Sequence, residues 1–269
     1  MKPDLPAIAD EVFAAIASGR QISPFSSRPA GLTLEDAYVL TALLNRKREA
    51  RGEKQLGRKI GFTNRTIWEQ YKVYAPIWGY VYDSTVHDLG TTACLPLSGL
   101  SEPRIEPEIV FGLARAPAPD MDETTLLLCV EWVAHGFEIV QSIFPRWQFS
   151  AADTVAANGL HGALLIGVRH TLGPHVLEWE MPLSTFAIDL FCDGLVIDSG
   201  HAANVLNGPV SALRHLVGLL ARDGINPPLA AGEIVTTGTL TRAMPVNSGE
   251  TWSTALNGIA LDGIRLRFE

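Results

Sequence analysis

Two glutamates lie inside a segment that otherwise has the composition of a β-strand. The segment is RIEPEIVFGL, residues 104–113, and its Ile, Val and Phe residues favour strands. Side chains at i and i+2 of a strand point to the same face, so Glu106 and Glu108 are expected about 7 Å apart along one side. Two carboxylates so close repel each other unless one takes up a proton or a cation lies between them. A hard cation such as Mg²⁺ or Mn²⁺ prefers oxygen ligands and would satisfy both.

A third acid of the same kind lies in a second apolar segment. Glu138 in GFEIVQS is predicted to lie on a strand, and three carboxylates make a metal site with open positions for substrate and water. Glu131 is a competing third ligand, ranked lower because its segment has a helical pattern. A solvent-facing strand would also explain an isolated Glu-X-Glu pair. Pro107 weakens that explanation, because proline removes a backbone donor and suits an edge or irregular strand.

Three further polar residues stand in apolar or tight surroundings. Lys59 in GRKIGFTN is either an exposed strand lysine or a cation near the metal that binds a carboxylate or tunes a proton transfer. His161 opens HGALLIG; a lone histidine is more often structural, yet its ring titrates near neutral pH. Thr239 belongs to VTTGTL, whose threonines reflect either β-propensity or donors for an oxyanion or carboxylate. The sequence has no GxGxxG, P-loop, GxSxG or HExxH motif, so nucleotide-dependent and serine-hydrolase chemistry have no support.

The elements that must position these residues change character along the chain. Helical periodicity predicts helices over residues 7–19 and 34–51. Farther along, short strands dominate in irregular order with few helices between them, which favours a mixed, mostly antiparallel β-rich core. The chain is therefore predicted to be α+β, with a helical N-terminal segment over residues 1–55 and a β-rich, metal-binding catalytic domain over residues 56–269.

Several local predictions follow from shorter patterns. The dipeptide Asp193-Gly194 predicts a tight hairpin turn between two strands. Helical patterns predict a helix near residues 123–130 and a long helix over residues 201–222 despite an internal Gly-Pro pair. A short helix or helical turn is expected over residues 63–73.

Composition bounds the class of protein. The chain has 269 residues, 47% hydrophobic and 19% charged, which suits a globular protein with a sizeable core. The formal net charge of -8 and a single short basic run, NRKREARGEK, argue against nucleic acid as a partner. Cys94, Cys129 and Cys192 show no CxxC spacing, so buried thiols in a reducing cytoplasm are expected. The N-terminal stretch carries acids within its apolar pattern and is predicted to be neither a signal peptide nor a membrane span.

Six segments, taken in order, resemble a known group of enzymes. They are GRKIGFTN, PIWGYVYD, EPRIEPEIVFGL, GFEIVQS, DTVAANG and GEIVTTGTL. From about residue 33 to the C-terminus they are similar to the 2-keto-4-pentenoate hydratase and 4-oxalocrotonate decarboxylase branch of the fumarylacetoacetate hydrolase superfamily. The resemblance implies Mg²⁺ or Mn²⁺ held by Glu106, Glu108 and Glu138, with Lys59 as the family lysine. It also implies a mixed β-sandwich or roll with flanking helices after a helical N-terminal segment, and commonly an oligomer.

One position departs from the family pattern. Typical hydratases of this group carry an Asp before an aromatic-Gly pair, in a segment like QPDFG, and this Asp is thought to act in proton transfer. Here the segment is APIWG and the residue is Ile77, which cannot move a proton. Decarboxylases of the group often have an apolar residue there, so Ile77 favours decarboxylation. His161 is also unusual for the group; it is predicted to be a catalytic acid or base, or else a residue that narrows the pocket.

The resemblance therefore implies a metal-dependent lyase that hydrates or decarboxylates a 2-oxo acid or its 2-hydroxydienoate enol. A carbon–carbon hydrolase of the fumarylacetoacetate type and a non-catalytic scaffold subunit beside a true hydratase are the alternatives. Arg104, Thr239 and Trp78 are predicted to bind this small-molecule substrate. Other candidate pocket aromatics are Trp68, Phe137 and Trp147. A cytoplasmic homo-oligomer without nucleic-acid or membrane partners is expected.

Overall fold

The computed structural model of the protein describes residues 2–65 and 68–269. Its helices are α1 (Leu5–Ser18), α2 (Leu34–Ala50), α3 (Trp68–Tyr71), α4 (Glu123–Leu127), α5 (Ala151–Ala156), α6 (Glu180–Thr185) and α7 (Pro209–Leu220). Its strands are β1 (Gln55–Gly61), β2 (Ile77–Tyr82), β3 (Val86–Asp88), β4 (Cys94–Leu95), β5 (Arg104–Leu113), β6 (Val130–Val140), β7 (His161–Ile166), β8 (His170–Thr171), β9 (Ala187–Cys192), β10 (Leu195–His201), β11 (Ile234–Thr236), β12 (Met244–Pro245), β13 (Thr251–Asn257) and β14 (Arg265–Phe268). Among the described residues, no helix has the length and apolar character needed to cross a membrane.

Two β-sheets organise the chain. The larger has nine strands in the order β2-β1-β11-β5-β6-β7-β3, with β12 added to β5 and β8 added to β6. The smaller has five strands in the order β10-β9-β13-β14-β4. Within the described residues, the parallel pairings are β1–β11, β3–β7 and β4–β14, and the others are antiparallel. The prediction of a mixed, mostly antiparallel core flanked by helices is confirmed, and its description as a sandwich or roll stays a prediction.

The central strands β5 and β6 separate a dry cluster from a polar face. Ile105 and Phe137 of the larger sheet pack with Leu190 of the smaller sheet in one buried cluster. Because side chains alternate along a strand, Glu106 and Glu138 point to the opposite face. Glu106, Glu108 and Glu138 therefore lie on the side of the larger sheet that faces away from the smaller one.

The N-terminal helices support that polar face from outside. Helix α2 begins with a capping box in which Thr33 and Asp36 satisfy each other's backbone N–H groups. Apolar residues of α1 and α2 pack with α5 in a second buried cluster that includes Ile77 and Leu160. The predicted boundary between residues 1–55 and the rest falls at the start of β1 and stays a prediction.

Three local predictions need correction, and one is confirmed. The helix predicted over residues 201–222 begins only at Pro209, because Gly208 has a φ of 150° and proline suits the first helical position. The helix near residues 123–130 ends at Leu127, so Glu131 lies on β6, where it is exposed to solvent. The short helix over residues 63–73 is reduced to α3, and residues 66 and 67 of that prediction lie outside the described residues. The Asp193-Gly194 turn is confirmed, since both residues have positive φ and join β9 to β10.

Candidate metal centre

The three predicted glutamates meet on one face of the larger sheet. In the antiparallel pairing of β5 with β6, Glu106 lies directly opposite Glu138, and Glu108 lies opposite Gly136. One carboxylate oxygen from each glutamate lies within 4.8 Å of the other two. Strand alternation places Glu106 and Glu108 together, and the register of the two strands brings Glu138 to them.

Positive and polar groups surround Glu138 on both sides. Its Oε2 forms an ion pair with Nζ of Lys59 at 3.0 Å, and its Oε1 accepts a hydrogen bond from Nδ1 of His161 at 2.8 Å. Both partners are buried, as is Glu138. Burial disfavours the charged carboxylate, but Lys59 and the His161 hydrogen bond outweigh it and hold the pKa of Glu138 below its usual value. Glu138 is therefore the carboxylate that this site keeps ionised.

Among the described residues, the direct partners of Glu108 are neutral donors. Its Oε2 accepts hydrogen bonds from the hydroxyl of Thr236 and from the backbone N–H of Gly238, the latter at 2.8 Å. Gly238 has a φ of 97°, and a side chain there would collide with Thr63, so glycine is required at this position. Burial and the neighbouring glutamates raise the pKa of Glu108 well above its usual value. Its Oε1 is buried and has no hydrogen-bond partner among the described residues.

Glu106 faces the adjoining cavity and is less enclosed than the other two glutamates. Burial raises the pKa of Glu106 to about 7, and the charge of Lys59 limits that rise. In the metal-free protein this carboxyl group therefore changes its protonation state near neutral pH. Glu106 is the ligand candidate most open to a molecule in the cavity.

Lys59 is held by a turn of unusual backbone conformation. Its Nζ donates to the backbone oxygen of Gly159 at 3.0 Å. Residues 158–160 form a left-handed turn, with φ values of 55°, 64° and 64°. The side chain of Asn158 accepts a hydrogen bond from the backbone N–H of Tyr80 and donates one to its backbone oxygen, both at 2.9 Å. A side chain on Gly79 would come within 2.5 Å of the Asn158 oxygen. Burial alone would lower the pKa of Lys59, but the three glutamates raise it, so Lys59 stays charged.

His161 lies behind Glu138 rather than at the cavity. Its Nδ1 contacts Glu138, and its Nε2 lies 2.8 Å from the hydroxyl of Thr85. Burial lowers the pKa of His161, which favours a neutral ring. The histidine predicted to act as a catalytic acid or base is thus not among the residues that line the cavity.

A cavity opens to solvent beside Glu106. Its walls are largely apolar and aromatic, and they include Phe62, Val140, Trp147, Phe149 and Leu160. The predicted substrate-binding residues Arg104 and Thr239 also line it, as does Lys59. The guanidinium of Arg104 lies 4.1 Å above the ring centroid of Trp147, a cation–π contact that fixes its position.

The neighbours Ile77 and Trp78 point in opposite directions from β2. Ile77 lines the cavity, in agreement with its importance in the sequence. Trp78 was predicted to contact the substrate, but its buried ring stacks on Tyr38 at 5.4 Å in the main apolar core. The residue of β2 that lines the cavity is its neighbour Ile77. Among the other candidate aromatics, Trp147 lines the cavity, whereas Phe137 lies in the cluster between the sheets.

Several residues that shape this site carried weak signals in the sequence. The segment VTTGTL was expected to supply donors to an oxyanion or carboxylate; in the structure Thr236 and Gly238 supply donors to Glu108. Thr239 instead lines the cavity, and its hydroxyl donates to the backbone oxygen of Thr241 at 2.9 Å. Thr85 lies 76 positions from His161, and no local pattern connects them.

Two curated bacterial proteins are similar to this chain over nearly its whole length. The 2-hydroxyhexa-2,4-dienoate hydratase of Comamonas testosteroni is 32% identical over 255 residues, which cover 94% of this chain and 94% of that protein. A 2-keto-4-pentenoate hydratase of Paraburkholderia xenovorans, strain LB400, is 30% identical over 264 residues, which cover 97% of this chain and 93% of that protein. No protein-family profile matches the chain.

Solved structures are similar in the same way. The 4-oxalocrotonate decarboxylase of Pseudomonas putida G7, complexed with magnesium and adipate, superposes with a TM-score of 0.88 at 26% identity, covering 98% of this chain and 97% of that chain. The fumarylpyruvate hydrolase of Pseudomonas aeruginosa, in complex with Mn²⁺ and pyruvate, superposes with a TM-score of 0.56 at 16% identity, covering 80% of this chain and 89% of that chain. The second likeness shows a shared fold alone.

Proposed function

Because this chain belongs to the 2-keto-4-pentenoate hydratase family of the fumarylacetoacetate hydrolase superfamily, we propose that it is a lyase that uses Mg²⁺ or Mn²⁺ to hydrate a 2-hydroxydienoate. The observation that carries the proposal is the cluster of Glu106, Glu108 and Glu138 beside Lys59, at the wall of an apolar cavity. Two similar hydratases align with more than nine-tenths of the chain, which favours hydration as the reaction.

The residues present fit a divalent cation on two grounds. Oε1 of Glu108 is a buried oxygen without a partner among the described residues, and such an atom has a high desolvation cost unless something binds it. The three carboxylates, when ionised, exceed the single charge of Lys59 by two, which is the charge that a divalent cation supplies. Oxygen-only ligands suit Mg²⁺ or Mn²⁺ better than a softer metal. We propose Glu106, Glu108 and Glu138 as its ligands.

The bound cation would supply Lewis-acid chemistry, stabilising negative charge that develops on a substrate oxygen. The protein's own residues would orient the substrate. Two contacts of the Lys59 ammonium are occupied by Glu138 and Gly159, and an ammonium has three donors, so one N–H stays available on the cavity side. In the metal-free protein the raised pKa keeps Lys59 a cation, which suits a residue that holds an anionic substrate rather than one that acts as a base.

The cavity walls support a substrate with a short unsaturated chain. Ile77, Val140 and Leu160 present apolar surface that would cover the carbon chain and exclude bulk water. The titratable side chains among the described lining residues are Lys59, Arg104 and Glu106. Ile77 cannot transfer a proton, Lys59 and Arg104 stay charged, and Glu106 is a proposed ligand, so the proton added at the far end of the dienol would come from solvent.

Decarboxylation is a second candidate, favoured by Arg104 together with Ile77. No acidic side chain lies within salt-bridge distance of Arg104 in the described part of the chain, so this cation at the cavity wall is available to an anion. It lies two positions from Glu106 on the same strand face, and both side chains line the cavity. A substrate with a second carboxylate could therefore reach both ends, and the similar decarboxylase was solved with a diacid, adipate.

One experiment tests the proposal and separates the two reactions. The purified protein would be incubated with Mg²⁺ and either a 2-hydroxydienoate monocarboxylate or an unsaturated 2-oxo diacid, with dienol absorbance and CO₂ release followed together. Loss of absorbance with a 4-hydroxy-2-oxo product and no CO₂ is the expected result. CO₂ release from the diacid would replace hydration by decarboxylation, and loss of that activity in Arg104→Met would assign the distal contact. No metal-dependent turnover of either compound would refute the lyase proposal.

A cytoplasmic homo-oligomer stays part of the prediction. Sedimentation of the purified protein at several concentrations measures the assembly directly. A monomer at all concentrations would contradict it.

A further inference from the structure

We propose that His161 is a positioning residue that fixes the carboxylate of Glu138 through a buried chain, Thr85–His161–Glu138. The inference rests on the proposed metal-dependent function, since it concerns one of the proposed ligands. It replaces the expectation that His161 is an acid or base for the substrate.

The location of His161 shows that it can act only through Glu138. Its ring is buried, and it contacts Glu138 on the Oε1 side, away from the Oε2 that pairs with Lys59. It is absent from the described residues that line the cavity, whereas its neighbour Leu160 is among them. A group in this place has no direct path to a substrate in the cavity, so any influence on the reaction passes through Glu138.

The hydrogen-bond pattern carries the second step. An ionised carboxylate only accepts, so Nδ1 of His161 must carry the proton in its 2.8 Å bond to Glu138. A neutral ring then leaves Nε2 as an acceptor, which the hydroxyl of Thr85 satisfies at 2.8 Å. Thr85 is itself fixed by Tyr82, because its Oγ1 accepts from the backbone N–H of Tyr82 at 3.3 Å and lies 3.1 Å from the backbone oxygen of Tyr82, which is a second acceptor for the single hydroxyl proton. The chain therefore runs from the β2–β3 turn to the ligand, with one tautomer selected.

The chemistry of glutamate explains why such a chain is useful. The terminal torsion of a glutamate has a broad, roughly two-fold energy profile, so the carboxylate plane turns easily unless both oxygens are held. His161 holds Oε1 and Lys59 holds Oε2, which leaves one defined plane for ligation. Groups that hold a metal ligand in this way typically contribute a factor of about 10–100 in metal affinity.

Metal affinity is therefore the decisive measurement. Mn²⁺ would be titrated by calorimetry into the wild-type protein, His161→Leu and His161→Asn. The leucine variant removes the donor and is expected to weaken Mn²⁺ binding by about 10–100-fold. The amide nitrogen of asparagine can occupy the place of Nδ1, so His161→Asn is expected to recover most of that loss. Unchanged affinity in His161→Leu would overturn the proposal.

A pH profile separates positioning from direct proton transfer. At saturating Mn²⁺, a positioning role predicts that the pH–rate profile of His161→Asn keeps both of its limbs. Disappearance of one limb, with metal affinity recovered, would make His161 a proton-transfer group and overturn the proposal.

The Thr85 pair decides the matter if His161→Leu does not fold. Thr85→Val leaves Nε2 of His161 without a donor, whereas Thr85→Ser keeps the hydroxyl. Weaker Mn²⁺ binding in Thr85→Val but not in Thr85→Ser supports the chain, and equal affinity in both overturns it. Failure of the wild-type protein to bind Mn²⁺ at all would refute the proposed function instead, so the two failures are distinguishable.

Discussion

The two fully buried carboxylates of this site, Glu108 and Glu138, lie on neighbouring strands yet behave in opposite ways. The surroundings of Glu138 include the Lys59 ammonium and the His161 N–H, and its pKa is lowered. The surroundings of Glu108 offer a hydroxyl and a backbone N–H, and its pKa is raised. Burial is equal, and at Glu108 the repulsion of the two neighbouring glutamates adds to it, so the difference teaches that neutral donors alone do not keep a buried carboxylate ionised here. The Glu138 side is complete in charge, because Lys59 lies 3.0 Å from its Oε2, although no hydrogen bond reaches that oxygen among the described residues. The Glu108 side would be completed by the proposed cation.

Replacement of Lys59, the positively charged residue that pairs with Glu138, is expected to have the largest effect. Lys59→Met would leave Glu138 without its ion-pair partner in a buried place and is expected to lower the free energy of unfolding by about 3–5 kcal/mol. Denaturant unfolding measures it. The double variant Lys59→Met/Glu138→Gln, which removes both charges, is expected to recover part of this loss. Additive losses in the double variant would show that the two charges do not depend on each other.

On the incomplete side, Glu108→Gln removes a proposed ligand without changing its size. Turnover at saturating Mg²⁺ is expected to fall by about 10²–10³-fold, the range for losing one stabilising group at a reacting centre. Steady-state kinetics on the dienol substrate measures this. Glu178→Gln is the matched control, because this glutamate is exposed and pairs with His175, away from the cluster. Wild-type turnover in Glu108→Gln would contradict its assignment as a ligand.

A change of pH should reveal the same contrast in the metal-free protein. In the folded protein Glu106, with a pKa of about 7, and Glu108 hold protons that they release on unfolding. The free energy of unfolding is therefore expected to decrease as the pH rises from about 4.5 to 7. The lowered pKa of Glu138 acts oppositely, giving stabilisation that is lost as pH falls below about 4.5.

Metal binding should release the protons held by Glu106 and Glu108. Since ligands must be deprotonated, Mn²⁺ affinity is expected to fall below about pH 7, by up to about tenfold per pH unit for each proton displaced. Calorimetry in two buffers with different ionisation enthalpies counts the protons released. An affinity that is constant between about pH 5.5 and 8 would rule out displacement of protons from Glu106 and Glu108.

The smallest expected effect concerns a single neutral donor. Thr236→Val removes the hydroxyl that donates to Glu108 but keeps the shape and strand propensity of the residue. Mn²⁺ affinity is expected to weaken by about tenfold, the lower end of the range for groups behind a metal ligand. Thr236→Ser keeps the hydroxyl and serves as the control. Equal affinity in both variants would show that Thr236 adds nothing to the ligand.

The parts of the site that the sequence predicted share one property: each is marked by a local feature of the chain. The two-residue repeat of a strand placed Glu106 and Glu108 on one face, and the structure shows them there. The apolar context of Glu138 and the glycines around Lys59 marked both as exceptional, and both lie in the cluster. Residue type and local context were sufficient because a polar side chain in an apolar strand needs a partner.

The parts that were missed depend on pairing between distant segments. Nothing in HGALLIG specifies that His161 meets Thr85, since their contact needs the turn after β2 beside the start of β7. Trp78 was predicted at the cavity because its aromatic type suits a pocket. Adjacent side chains of a strand point to opposite faces, and in β2 the side chain that faces the cavity is Ile77. The helix expected from residue 201 failed because β-pairing with β9 continues through His201 and overrides the helical pattern.

The left-handed turn at residues 158–160 has a consequence for how this sequence can evolve. Two non-glycine residues there adopt a conformation that costs roughly 1–2 kcal/mol each, and hydrogen bonds to Tyr80 help to keep it. The close approach to Gly79 means that any side chain at position 79 would displace Asn158, and with it the Gly159 oxygen that holds Lys59. Gly79 and Asn158 should therefore be inherited as a pair. Related sequences in which one of them is replaced are expected to have lost the other as well, together with Lys59.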